Sequence, residues 1–517
     1  MKTPLFILVS LLIGGYSAAQ LPGQLDTGYG DAGIVTIVFP GSSCSLGSIG
    51  VQSGNRVIAS GNLYDIASSE DYLIATRLLE DGTSDLFGNL GTYQISDIGP
   101  THKNTATWVL PDDKILLAGH YGASGHMYVM RLNPNGMPDP TFAVDGIYRN
   151  ESLTFAVTGM VVVPAGSGYH ILLSGFTLGN KPRLFKLDDT GQPVNAFGIN
   201  GMYEHPLMDG MYTDLKVDTT AGVIYAAGNG SFELYAFVTK HDLVTGALIP
   251  SFGVNGSAVM NPFGDATKFF VRQLLFNPVD EQVVAFGFYI HTAGDVDICA
   301  FALHTVNGTL DPGFGVNGWS TLRIPVYDET IQCAIAQADG KYYFGGCATD
   351  ASAEMDFMLG RLNPNGFLDL DFGSNGITIT QLDMHDEILD LDFNSEQSRI
   401  YAGGTRLDLM TQEMVVASYH TGFLTPVPGW DPNDLHLFGL YPNPAGESVS
   451  ILLPSFTNFH GDLVINDLFG RKCLRRKVTE APGETITLDL TGLEAGIYLV
   501  CFGKENQSIS RKLVVAK

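Results

Sequence analysis

Seven copies of one short motif constrain what this chain can fold into. They read GQLDTGYGDAG, GTSDLFGNLG, GMPDPTFAVDG, GQPVNAFGING, GALIPSFGVNG, GTLDPGFGVNG and GFLDLDFGSNG. Their aromatic members are Tyr29, Phe87, Phe142, Phe197, Phe252, Phe314 and Phe372, spaced by 58, 55, 55, 55, 62 and 58 residues. Four residues after each ring stands a glycine: Gly33, Gly91, Gly146, Gly201, Gly256, Gly318 and Gly376. A glycine kept at one slot in every copy points to positive φ or close backbone approach. A ring kept at one slot reads as a plug between neighbouring units, because burying it removes a large apolar area from water.

Between motifs each unit repeats one strand grammar. A strand ends in small residues and glycine, as in IASG before Asn62, LLAG before His120, YAAG before Asn229 and YAGG before Thr405. A second apolar strand follows, such as YLIATRL, YVMRL, RLFKL or FMLGRL, and enters a polar turn such as Asn133-Pro134-Asn135-Gly136. With the strand after each motif and one more before the glycine-ended strand, each unit holds about four strands. Four strands at a period in the high fifties, repeated seven times, predict an all-β chain built as a seven-bladed β-propeller. An open β-solenoid is the alternative, but its coils are usually shorter and it needs no fixed copy number.

The repeats resemble the delta-60 repeat family, whose copies carry a Leu-Asp-Pro-Thr-Phe-Gly-like core in predicted propellers. The resemblance runs from Leu25 to Leu424. It implies a fold and little chemistry. The acidic slot three residues before the ring holds Asp26, Asp139, Asp311 and Asp369 but Ser84, Val194 and Ile249 elsewhere, which argues against a metal in every blade.

The ends read differently. Lys2, the apolar stretch Leu5 to Ile13 and Ser17-Ala18-Ala19 have the layout of a secretory signal over 1–19, with cleavage after Ala19. The apolar run is too short to span a bilayer, and no transmembrane segment is expected after signal cleavage. The propeller is expected over 20–424 and a Pro-rich linker over 425–439, marked by Pro426, Pro428 and Pro432. From 440 to 517, alternating apolar residues and turn glycines predict a small Ig-like β-sandwich. Its blocks Tyr441-Pro442-Asn443-Pro444, Asp467 to Arg471, Leu493 to Tyr498 and Lys512 to Lys517 resemble the type A sorting domain of the type IX secretion system. That resemblance implies recognition in the periplasm of a Gram-negative bacterium, passage across the outer membrane, and a secreted or cell-surface product. The basic residues Arg471, Lys472, Arg475, Arg476 and Lys477 either contact the secretion machinery or form a solvated strand face.

Chemistry is sparse in the sequence. No zinc-protease helix, nucleophile elbow, phosphate loop or dinucleotide fingerprint is present, so neither catalytic residues nor a cofactor are assigned. His102, His120, His126 and His170 lack ligand spacing. The run Asp383, Asp386, Glu387, Asp390 and Asp392 could collect calcium, yet reads better as a solvated strand edge, and Gly294-Asp295-Val296-Asp297 lacks the other ligands of a calcium loop. Cys333 and Cys347 fall on neighbouring strands and Cys473 and Cys501 share the C-terminal domain, so each pair could bridge, although buried thiols are the simpler reading. Residues 20–434 carry 18 Lys/Arg against 46 Asp/Glu, a charge of 18 − 46 = −28, which disfavours nucleic acid and anionic membranes. Two functions remain: a binding module for an extracellular protein or glycan, or a polysaccharide hydrolase or lyase with its carboxylates in the propeller channel. The enzyme requires two or more carboxylates peculiar to single blades on the strands that line the channel.

Overall fold

Seven sheets of four antiparallel strands follow one another along residues 34–420. The structure is a computed structural model that describes residues 21–516 apart from 89–91, 96–101, 123–124, 262–265, 278–279, 293, 325–327, 352, 383–384, 409–410, 424–438, 442–444, 453–460, 468–471, 479–484 and 505–506. The expected signal segment and nearly all of the expected linker lie outside the described residues. Blades 1 to 6 span 42–95, 102–154, 156–204, 210–260, 266–322 and 328–380, and each is a simple meander. Blade 7 takes three strands from 386–420 and its outermost strand, Ile34–Ile37, from the start of the propeller. Ile34 pairs with Ala417 and Ile37 with Met414, so the ring closes by strand exchange between its two ends.

The inner strands are Ser42–Gln52, His102–Val109, Ala156–Ala165, Gly210–Asp218, Ala266–Asn277, Asp328–Ala336 and Asp386–Phe393, and each packs on the next around the ring. Every one carries a bulge at the same place, at Gly47, Thr105, Thr158, Thr213, Arg272, Gln332 and Leu389. Opposite each bulge lies the strand glycine visible in the sequence. A Cβ on Gly61, Gly119, Gly175, Gly228, Gly287, Gly346 or Gly404 would sit on an inner-strand carbonyl, from Ser45 O to Glu387 O. None of these glycines has positive φ, so the slot is reserved by space.

The motif glycine has the other reason. Gly33, Gly146, Gly201, Gly256, Gly318 and Gly376 adopt φ between 82° and 101°, a region costly for residues with a Cβ. Each motif ring is at most 1% exposed and belongs to a separate apolar cluster spanning two blades. Phe142, for example, packs with Leu116 and Ala118 of blade 2 and Val157, Leu173 and Phe185 of blade 3, while Tyr29 seals blade 7 against blade 1. The residue after the ring donates its N–H into the next blade, as Gly88 N to Asn135 O at 2.8 Å and Gly373 N to Pro22 O at 2.9 Å. Ala143 takes this place in the third copy, at φ 47°.

The acidic slot completes the joint. Asp139 and Asp369 accept from Arg131 and Arg361 at 2.8 Å, and those guanidiniums lie over Phe142 and Phe372 at 4.9 and 4.7 Å. Arg131 also donates to Asp189 O of the next blade at 2.6 Å. In the second copy the acid is Asp85, one place nearer the ring than Ser84, and it holds Arg77 at 2.8 Å. Where the slot is Val194 or Ile249 the partner position is Lys186 or Lys240, which donates to a carbonyl of the next blade instead. The slot that varies in sequence is therefore half of an ion pair, with its partner varying to match.

The chain divides into two compact units between Phe423 and Leu424. The second has a three-stranded and a four-stranded antiparallel sheet sharing one core that includes Val449, Ile451, Leu463, Ile465, Leu488 and Val500. Its basic residues fall on the edge strand Lys472–Val478, where Lys472, Arg475 and Lys477 are exposed and Arg476 donates to Thr487 O. Arg471 lies outside the described residues.

Candidate functional site: the channel and its upper mouth

The aligned bulges turn one residue per blade toward the axis, and together with the residues after them they line a channel of about 510 Å³. In blades 1 to 3 the wall mixes the hydroxyls of Ser48, Thr105, Thr107 and Thr158 with apolar side chains such as Trp108 and Met160. Among the described residues, charge enters the wall in three blades: Asp214 and Lys216 in blade 4, Arg272 in blade 5, and Asp390 and Asp392 in blade 7. The acidic run Asp386 to Asp392 thus lies on an innermost strand, correcting the expectation of a solvated edge. The bulge at Leu389 breaks the alternation on which that expectation rested. Asp383 lies outside the described residues.

The carboxylates peculiar to single blades are present, and each is engaged. Asp390 Oδ2 accepts from Ser48 Oγ at 2.6 Å and Ile49 N at 2.9 Å, and Oδ1 from Leu391 N at 2.9 Å. Asp392 accepts from Val51 N at 2.9 Å and Phe393 N at 2.8 Å. Asp214 repeats the pattern half a ring away, taking Leu274 N at 2.9 Å, Gln273 Nε2 at 2.6 Å and Lys216 Nζ at 2.7 Å. In both blades the acid stitches its own inner strand to the next one. Burial pushes the Asp390 and Asp392 carboxyls up, Asp392 to about 7 with the charge of Asp390 adding to the effect.

The remaining candidates are dispersed. His120 is half-buried, with burial and then Lys103 pulling it down to about 4. His126 faces Leu153 O at 3.4 Å, His170 is lowered by burial and by Lys186, and the His102 side chain is outside the description. Asp295 pairs with Arg323 at 2.8 Å and Asp297 with His291 at 2.9 Å. Among the described residues no three His, Cys, Asp or Glu side chains are placed to hold a metal. Cys333 and Cys347 do lie on paired strands, but in register Cys333 faces Gly345 and Cys347 faces Thr330, and both are buried thiols whose burial raises them. The Cys501 side chain is outside the description, so the second pairing is not addressed. Sequence reasoning missed Asp214, Lys216 and Arg272. Only an alignment of the seven inner strands through their bulges brings these three into one channel.

Above the channel, at the mouth where the inner strands begin, blades 3 and 4 expose apolar side chains. Leu178, Leu207, Phe232 and Leu234 are 65%, 83%, 85% and 54% exposed. Their loops are tied together by Gly210 N to Asn180 O at 2.7 Å and Ser231 N to Asp209 O at 3.1 Å. Phe232 and Glu233 both have positive φ, 60° and 61°, a conformation that costs a bulky residue energy and tends to be kept at functional loops. Beside them a groove of about 380 Å³ runs past Asn180, Ser231, Glu233 and Lys268.

Residues 439–516 match the family described as secretion system C-terminal sorting domain, and residues 110–142 and 337–372 match a β-propeller domain of unknown function. The C-terminal domain is thus a sorting domain, which implies secretion, and the repeats form a propeller. No curated protein matches the chain. Solved structures of similar fold include a catalytically inactive virginiamycin B lyase from Staphylococcus aureus with quinupristin (12% identity, TM-score 0.38, 74% of this chain and 98% of that one). Hydrazine synthase of Kuenenia stuttgartiensis (9%, 0.43, 75% and 98%) and polysaccharide lyase Uly1 (10%, 0.43, 79% and 94%) are others. Among the described residues no helix is long and apolar enough to cross a membrane.

Proposed function

We propose that the propeller is an extracellular binding module, delivered across the outer membrane of a Gram-negative bacterium by its sorting domain, which engages its partner at the upper mouth. The observation that carries this reading is the strained, 85% exposed Phe232 among three exposed leucines on hydrogen-bonded loops. Exposed apolar side chains brought together on linked loops, with polar groups beside them, suit a binding surface. The channel acids support it from the other side, because backbone amides of the next blade already occupy oxygens that a general acid and base would need. Replacing Phe232 and Leu207 together by serine should abolish capture of the partner while leaving thermal unfolding unchanged. Retained capture by the double variant would overturn the placement.

One observation favours the second reading, a polysaccharide hydrolase or lyase. Asp392, at about 7 in the channel wall, has the ionisation of a general acid at neutral pH. Product analysis separates the two readings, since a binding module leaves its glycan intact.

A further inference from the structure

Arg272 stands apart from the other partly buried arginines of this acidic propeller. Arg77, Arg131, Arg183, Arg361, Arg399 and Arg406 each hold a carboxylate within 2.9 Å. Arg272 makes no hydrogen bond or ion pair among the described residues, and its Nε is buried without an acceptor. The charges of Glu387 and Glu233 act on it without contact. Glu387 is itself engaged by Gln332 Nε2 at 2.6 Å, and Glu233 by Lys268 at 2.7 Å. Leaving a buried guanidinium N–H unsatisfied is costly, so something must hold the group where it is.

Two rings do so. The Arg272 guanidinium lies over Phe270 at 5.6 Å and Phe288 at 5.4 Å, and those rings stack on each other at 4.7 Å. Stacking suits a weakly hydrated planar cation and fixes the plane of its donor fork before any ligand arrives. The side chain comes from the bulge slot, so it lines the channel. Its neighbours at the same level are Thr213 and Gln332, with Gln273 one residue beyond. A fixed donor fork beside hydroxyls and amides matches a ligand with one carboxylate and several hydroxyl groups. The acids of the wall do not oppose this: Asp214 is neutralised by Lys216, and burial favours the protonated forms of Asp390 and Asp392.

We infer that the channel holds an acidic sugar, its carboxylate on Arg272 and its hydroxyls on the Oε1 acceptors of Gln273 and Gln332, whose Nε2 groups hold Asp214 and Glu387. The inference goes beyond the reading of the upper mouth and adds a second ligand site in the channel. The test is titration calorimetry of the full chain with galacturonic and glucuronic acid, with galactose and N-acetylglutamate as controls, on the wild type, Arg272→Met and Arg272→Lys. Met keeps the stem and contact with the rings, and Lys keeps the charge without the fork. The expected result is uronate binding that weakens about tenfold or more in both variants, with unchanged thermal unfolding and no binding of galactose. Equal uronate binding by Arg272→Met, no uronate binding by the wild type, or N-acetylglutamate binding in place of uronate would each overturn it. None of those results touches the apolar patch at Phe232, whereas cleavage of a polyuronate would sink the binding reading itself.

Discussion

At the scale of single residues, repetition in this chain records joints between blades, and singularity marks the channel. The ring at Phe142 is fully buried between two sheets, so Phe142→Ala should cost about 3–5 kcal/mol, read as a lower denaturation midpoint. Burial also separates the ion pairs. Arg131 and Asp139 have side chains 7% and 3% exposed, against 62% and 47% for Arg323 and Asp295. Asp139→Ala should then destabilise by about 3–5 kcal/mol because it strands a buried guanidinium, while Asp295→Ala should cost under about 1 kcal/mol. Similar losses from both would contradict the joint described for the acidic slot. The motif glycines and rings were legible in the sequence because every copy repeats them. The acid–arginine joint was not, since the arginine ends a strand while its acid lies in the turn that follows, and one copy places that acid at Asp85.

At the scale of strands, the shared bulge decides which side chains meet the axis, and a bulge has no signature in a simple alternation of apolar and polar residues. That is why the acids of 386–392 read as an edge when they lie on an innermost strand. Their position has a pH consequence. The folded-state Asp392 carboxyl sits at about 7, above its ordinary value near 4, so the folded chain binds more protons across that window. Stability should fall as pH rises from about 4 to 7, and Asp392→Asn should flatten that part of the profile of melting temperature against pH. The closing strand carries its own prediction. Starting the chain at Phe39 removes Tyr29 and the Ile34–Ile37 pairing with blade 7, leaving Thr411–His420 of that blade unpaired on its outer side. Such a chain should expand in solution scattering and associate, whereas the intact one stays closed. Four strands per unit were countable from sequence. The closure was hidden because its two partners stand at opposite ends of the propeller sequence, Ile34 against Ala417 and Ile37 against Met414.

At the scale of the whole molecule, charge and fold separate two tasks. The propeller carries the acidic excess, and the sorting domain, with nine Lys/Arg and eight Asp/Glu over 435–517, carries almost none. Deleting 435–517 should trap the propeller in the periplasm, and unchanged surface delivery of the truncated protein would refute the role given to that domain. The export route was readable because its blocks are local in sequence. The apolar mouth was not, because Leu178, Leu207 and Phe232 come from three loops that only the blade geometry gathers. Whether that mouth binds or the channel cleaves is decided most directly by offering the purified mature protein a panel of extracellular polysaccharides and measuring retention and new chain ends together. A binding propeller retains at least one acidic glycan and releases no product. A new reducing end or unsaturated terminus, lost in Asp392→Asn, would contradict it.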